Sequence, residues 1–405
     1  MTQPPIPPEP ATHEPLRVGV VAYELEGRRS GVGRYLEGLL DGVRRLGLAG
    51  EWRLYFKGDP FDSPFFEPED GATSMVPIFD SRPAGSPIPW EQFRLPKLLR
   101  RDALDVLVSP GYSLPPIGGL PRMVTLHDLS FEHLGHELAF KERWRRRVLA
   151  RLAAKRGDRV LADTEAIAAD LRRTYALPES KVGIVPLAVD ERFFNTAVSA
   201  VKAQQDLDAL GVKGPYLLHL GTILPRRCLE LILEAFGSVS QRFPELSLVL
   251  AGHNNLSDPT LLRRWIQASG VAGRVVCLDY VPEARLPTLC TRAEAGLYLS
   301  TYEGYGLPPL ELLAMGTPVV VSDGLALDDL APTYPWRTSL DVSSVAATLE
   351  RILKHEDRAA SIAGARQAIR RLTWTDCATR YVEQIHLAMD AFADRAKPSG
   401  RETAR

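Results

Sequence analysis

Short, wholly apolar runs alternate with helix-patterned segments along most of the chain, and this alternation restricts the fold more than any other property of the sequence. Strand-like runs fall at Arg17 to Tyr23, Trp52 to Phe56, Val106 to Ser109, Met123 to Leu126, Val160 to Ala162 and Gly183 to Val185. Helical patterns separate them, at Gly33 to Leu46, Lys141 to Arg156 and Glu165 to Tyr175. A strand apolar on both faces has to be covered on both, as in a parallel sheet flanked by helices. The pattern breaks after Phe194, crosses a polar stretch around Gln204 to Asp208, and restarts at Tyr216-Leu217-Leu218-His219-Leu220. It then runs through helix Leu229 to Arg242, strand Ser247 to Ala251, helix Thr260 to Ala268, strand Val275 to Leu278 and helix Ala284 to Arg292. The expected class is α/β, with two doubly wound domains facing across a ligand-binding cleft. The boundaries read as a tail over 1–15, an N-terminal domain over 16–196 and a C-terminal domain over 197–374. A helix over 375–395 crosses back to the first domain, and 396–405 is a polar tail.

The richest segment is Ser300-Thr301-Tyr302-Glu303-Gly304-Tyr305-Gly306-Leu307-Pro308-Pro309-Leu310-Glu311, between the apolar runs Ala295 to Leu299 and Pro318 to Val321. Gly304 and Gly306 free the backbone to approach a ligand, and Pro308-Pro309 opens a helix. Unpaired amides and the positive helix end then favour a phosphate. Glu303 in the loop and Glu311 in the first helical turn reach different parts of one extended ligand carrying hydroxyls and phosphates.

This segment, with Gly316-Thr317-Pro318-Val319-Val320 after it, resembles the Glu-x7-Glu signature of retaining glycosyltransferases of family 4, the glycogen-synthase-like group. The resemblance implies two Rossmann-like domains of the GT-B type and transfer of a hexose from a nucleotide diphosphate sugar. It further implies that Glu311 binds the nucleotide ribose, Glu303 a donor-sugar hydroxyl, and the amides of Gly304, Tyr305, Gly306 and Leu307 the sugar or phosphate. Gly221-Thr222-Ile223-Leu224-Pro225-Arg226-Arg227-Cys228 is similar to the family's Gly-Thr...Pro-Arg-Lys-Asn segment, which holds the donor diphosphate. Arg227 stands for the Lys and Cys228 for the Asn; guanidinium forks suit a diphosphate, and Arg226 is the firmer assignment. Gly31 and Gly33, in Ser30 to Tyr35, resemble the N-terminal glycine-rich loop. His127, in Val124 to Leu129, resembles the His beside the donor sugar, where imidazole can orient a hydroxyl. His219, mid-strand, reads as core.

The resemblance implies no protein nucleophile and no cofactor, and the chain has no Asp-x-Asp suited to a metal-held diphosphate. By the same resemblance the first donor to expect is GDP-mannose, the expected acceptor a glycan or lipid-linked glycan, and the expected setting cell-surface polysaccharide assembly. Two other readings share the architecture: a nucleotide-sugar 2-epimerase and a non-catalytic sugar-nucleotide binding protein.

A net charge of -1 excludes a protein organised as a whole around nucleic acid. Cys228, Cys277, Cys290 and Cys377 have no zinc spacing and read as reduced thiols in the cytoplasm. The first fifteen residues lack a signal-peptide pattern, and no apolar run is long enough to span a bilayer. From 141 to 159 nine basic and two acidic residues surround Trp144, Val148 and Leu152 at helical spacing. Such a helix suits either peripheral contact with anionic lipid on the inner face of the cell membrane or packing of its stripe into the core.

Overall fold

The computed structural model describes residues 15–27, 31–59, 61, 66, 73–80, 86–135, 138–195, 197–354 and 358–396. Most of both tails and Ser30 of the glycine-rich loop lie outside them.

The described residues form twelve strands in two sheets. The first sheet holds β1 (Leu16–Val21), β2 (Gly50–Phe56), β3 (Thr73–Phe79), β4 (Val106–Ser109), β5 (Arg122–Thr125), β6 (Arg159–Ala162) and β7 (Val182–Ile184), in the order β3-β2-β1-β4-β5-β6-β7. The second holds β8 (Tyr216–Leu220), β9 (Ser247–Ala251), β10 (Val275–Leu278), β11 (Ala295–Tyr298) and β12 (Val319–Val321), in the order β10-β9-β8-β11-β12. Pairing is parallel. In each sheet the strand order reverses beside the first strand, between β1 and β4 and between β8 and β11. Doubly wound sheets bind ligands beyond the strand C-termini at such a reversal.

The central strands β4 and β11 are buried throughout, as is β12 at one end of the second sheet. β3 is a strand that the sequence pattern did not indicate. It carries Thr73, Ser74 and Pro77 and lies at the sheet edge, where a missing amide donor is tolerated. A second unforeseen element is the Ala200–Leu210 helix in the polar stretch. The Ser199 side chain accepts from the Lys202 amide at its start, and Gly211, at φ 68, closes it.

By compactness the chain divides into two units: the chain up to Thr125 with Arg156–Arg159 and the chain from Ala378, and Leu126–Lys155 with Val160–Cys377. In the first, Val21, Tyr55, Trp90, Leu95, Leu99, Leu107 and Ile117 form a cluster. Each such side chain contributes about 1.5–3 kcal/mol on burial. Trp90 donates its indole N–H to Asp80, at 2.9 Å, so its one polar atom is satisfied.

The basic Phe140–Arg156 helix of the second unit buries Ala150, Ala153 and Ala154. Three of its larger apolar groups turn outward, Phe140 at 73% and Trp144 at 61% exposed with Leu152 also exposed, while Val148 and Leu149 are half-buried. Glu142 pairs with Arg145 and Arg146, and Arg147 with Glu132.

Candidate functional site

The second unit brings the C-terminal ends of β8 and β11 together, because Ala295 pairs with Leu217 and Gly296 with Leu218. Beyond β8 the chain reaches a single turn, Pro225–Arg227, before the Leu229–Ser240 helix. Beyond β11 it enters the Ser300 to Gly306 loop. The Thr301 amide donates to the Arg226 carbonyl at 3.0 Å and ties the two loops.

Arg227 is 7% exposed and forms an ion pair with Glu303. Its guanidinium lies 4.3 Å from the centre of the Tyr298 ring, and the Tyr298 hydroxyl donates to the same Glu303 oxygen at 3.3 Å. Burial pulls the Arg227 pKa down, and Glu303 and Tyr298 more than offset this, so it ends above its ordinary value. Below this pair His219 is wholly buried, its ring parallel to Tyr298 and its Nδ1–H donating to the Leu297 carbonyl at 3.1 Å. Burial, then the Arg227 charge, lowers its pKa to about 4, so it is neutral core, as its mid-strand position suggests.

Arg226 points elsewhere, with Nη2 3.9 Å from Asp128. Asp128 Oδ1 accepts from the Ser130 amide and hydroxyl. His127 is held by Asp163, Nδ1 to Oδ2 at 2.8 Å, and Asp163 follows directly after β6. The Leu129 amide donates to the Tyr302 hydroxyl at 3.0 Å. A Cβ at Gly304 would run into the His127 carbonyl oxygen, so only glycine lets this loop lie against the His127 backbone. Gly306, at φ 82, turns the chain into the Leu307–Ala314 helix. Tyr305 is buried and donates its hydroxyl to the Leu187 carbonyl.

Glu311 falls in the second turn of that helix rather than the first, because the helix begins at Leu307, ahead of the prolines. It is 4% exposed and close to Cys290, whose thiol pKa is pushed up by burial first and by Glu311 second. Gly31 and Gly33 occupy the first turn of the Gly31–Leu46 helix, after β1 in the other unit; Gly31 is exposed and a Cβ there would meet no neighbour.

Arg226, Arg227, His127, Glu303, Gly304, Tyr305, Gly306, Leu307 and Glu311 thus all belong to one compact unit. Sequence reasoning missed Asp128, Asp163, Asp170, Tyr298 and Tyr302. The Asp163-Thr164 step was visible as a strand end before a helix, where Thr164 accepts from the Ile167 amide at 3.2 Å, yet nothing in it names His127 as a partner.

Two doubly wound sheets with cationic side chains and a glycine turn at the C-terminal strand ends define an α/β protein of the kind that binds ligands beyond its strand ends. Two family models match in succession, Glycosyltransferase Family 4 over residues 29–193 and Glycosyl transferases group 1 over residues 204–366. The chain belongs to this glycosyltransferase family, and its fold is the GT-B build. It is 27% identical over 262 residues to mannosylfructose-phosphate synthase of Agrobacterium fabrum, covering 62% of this chain and 56% of that protein. The match to that relative therefore takes in little more than half of its length. The chain is also 27% identical over 379 residues to an MMP alpha-(1->4)-mannosyltransferase of Mycolicibacterium hassiacum, covering 86% and 87% of the two chains. Among solved structures, sucrose-phosphate synthase of Thermosynechococcus elongatus superposes with a TM-score of 0.71 at 16% identity, over 93% of this chain and 100% of that one.

Proposed function

We propose that this protein is a retaining hexosyltransferase that moves mannose from GDP-mannose to a hydroxyl of a glycan or lipid-linked glycan, in the cytoplasm, during cell-surface polysaccharide assembly. The observation that carries the proposal is the grouping within one unit of Arg226, Glu303, Gly304 and Glu311, which follow β8 and β11, with His127, which follows β5. Both curated relatives are named for mannosyl products or transfer, which supports the sugar.

In this reading Arg226 offsets the charge that grows on the departing diphosphate, where fixed cations act most strongly. Arg227 is committed to Glu303 and acts by holding that carboxylate toward a donor-sugar hydroxyl. Glu311 takes the ribose, the amides from Gly304 to Leu307 hold sugar or phosphate, and Gly31 and Gly33, in the first turn of their helix, bind the donor. His127, its Nδ1 on Asp163, presents Nε2 to the sugar from the other side. The bond from the sugar C1 to phosphate breaks, the bond to the acceptor oxygen forms on the same face, and the acceptor proton passes to the departing phosphate. No side chain forms a covalent intermediate, and transfer should persist in EDTA because arginine supplies the compensating charge.

The outward stripe of the Phe140–Arg156 helix supports peripheral attachment to anionic lipid, since its alanine face already meets the fold. Among the described residues no helix is long and apolar enough to cross a membrane.

Turnover of GDP-mannose with product configuration read by NMR tests the reading. The α-linked product is expected; a β-linked one overturns retention. Arg226→Ala should lower kcat/KM by about 30-fold to several thousand-fold, the equivalent of roughly 2 to 5 kcal/mol. Near-normal turnover in that variant overturns the Arg226 role.

A further inference from the structure

We infer that Asp170, acting through Tyr302, is a positioning residue that sets the spacing between His127 and Glu303. The inference rests on the reading in which those two side chains hold the donor sugar from opposite sides. Asp170 lies on the Glu165–Tyr175 helix and is buried, and its carboxylate is fully engaged. Oδ2 accepts from His133 Nε2 at 2.7 Å and from the Tyr302 hydroxyl at 2.9 Å; Oδ1 accepts from Arg173 at 2.8 Å and Thr174 at 3.1 Å. Although burial pushes its pKa up, the donors from His133 and Tyr302 outweigh this and hold it below the ordinary value. An ionised carboxylate only accepts, so the Tyr302 proton must point to Asp170. The phenol oxygen is then left with lone pairs alone, and it receives the Leu129 amide at 3.0 Å.

The consequence is a closed circuit. Asp128 approaches Arg226; Arg226 is followed in the chain by Arg227; Arg227 pairs with Glu303; Tyr302 precedes Glu303 and binds Leu129; and Leu129 follows Asp128. Tyr302 is the link that joins the His127 strand end to the Glu303 loop, and Asp170 fixes its direction. The same helix begins just after Asp163, which holds His127, so one rigid element aligns both sides of the site. An error of about 1 Å in such alignment can cost 100-fold in rate.

Tyr302→Phe removes only the hydroxyl, and Asp170→Asn keeps the shape while removing the charge that orients it. Hydrogen exchange of the Leu129 amide, GDP affinity by calorimetry, and kcat with GDP-mannose are measured in each variant and in the double variant. The expected result is faster Leu129 exchange, kcat lowered at least about tenfold, GDP affinity within about twofold of wild type, and a double variant no worse than the poorer single. Unchanged Leu129 exchange overturns the geometry. Faster exchange with unchanged kcat overturns the positioning role, as does a parallel loss of GDP affinity and kcat. His127→Ala and Glu303→Gln run alongside: wild-type turnover in both overturns the reading of the sugar site itself, and the positioning role with it.

Discussion

Removing the Glu303 carboxylate should destabilise the protein independently of any effect on transfer. Glu303→Ala leaves the Arg227 guanidinium, 7% exposed, without its counter-charge. Breaking a buried ion pair from one side costs about 3–5 kcal/mol, because the remaining charge stays desolvated. The Tyr298 ring, 4.3 Å from the guanidinium, holds a cation–π attraction of about 2 kcal/mol, which brings the expected loss to about 1–3 kcal/mol. Arg227→Met leaves Glu303 with the Tyr298 hydroxyl as a weak donor and should cost a similar amount. The double variant leaves neither charge, so its loss should fall short of the sum of the singles by about 2 kcal/mol. Guanidinium chloride unfolding of the four proteins measures the cycle. Additivity within about 0.5 kcal/mol would refute the ion pair as a buried, coupled unit. Because Glu303→Ala acts on stability as well as on sugar contact, Glu303→Gln, which keeps the shape, is the cleaner variant for kinetics.

Glu311→Ala should weaken binding of bare GDP as well as of donor, whereas Glu303→Gln should spare GDP; calorimetric titration separates them, and equal GDP affinity in wild type and Glu311→Ala removes the ribose role. His219, at pKa about 4 when folded against 6.5 unfolded, leaves the unfolded chain binding more protons between those values, so its stability contribution is present above pH 6.5 and lost as pH falls toward 4. The loss between pH 7 and pH 5 should be about 2 kcal/mol in unfolding experiments, and His219→Gln should flatten that slope. The Phe140–Arg156 helix should bind vesicles rich in anionic lipid, with binding lost in Arg145→Gln/Arg146→Gln/Arg147→Gln and falling as salt rises. Equal sedimentation with neutral lipid would make it an ordinary surface helix.

What was legible in the sequence is what local chemistry dictates. Buried parallel strands need apolar residues on both faces, so β4, β8, β11 and β12 stand out, whereas β3 at the edge can carry Pro77, Thr73 and Ser74 and goes unnoticed. The helix after Ser199 is hard to see in the sequence because its composition is polar, although Ser199 and Gly211 cap it. Glu303, Gly304, Gly306 and Glu311 are close in sequence, and the close approach of Gly304 to His127 and the positive φ of Gly306 prescribe the glycines. The outward stripe of the Phe140–Arg156 helix was visible as a period, but its direction was not. Only the small faces of Ala150, Ala153 and Ala154 allow the helix to sit close to the fold, and they decide which side is inside.

The supporting residues are a different case. Asp163 meets His127 from 36 positions away, Arg227 meets Glu303 from 76, and Asp170 meets Tyr302 from 132. A hydrogen bond across such separations leaves no periodic trace, since any aspartate at a strand end or helix turn has the same local pattern whether or not a partner arrives. Arg227 shows the effect on function most directly. Its place beside Arg226 suggested a second diphosphate cation; its side chain is engaged by Glu303 and Tyr298, whereas that of Arg226 approaches Asp128, so the two neighbouring arginines meet different partners. An Arg227→Lys substitution should therefore weaken the hold on Glu303, since an ammonium lacks both the planar stack on Tyr298 and the fork, while leaving the Arg226 contact to a diphosphate in place.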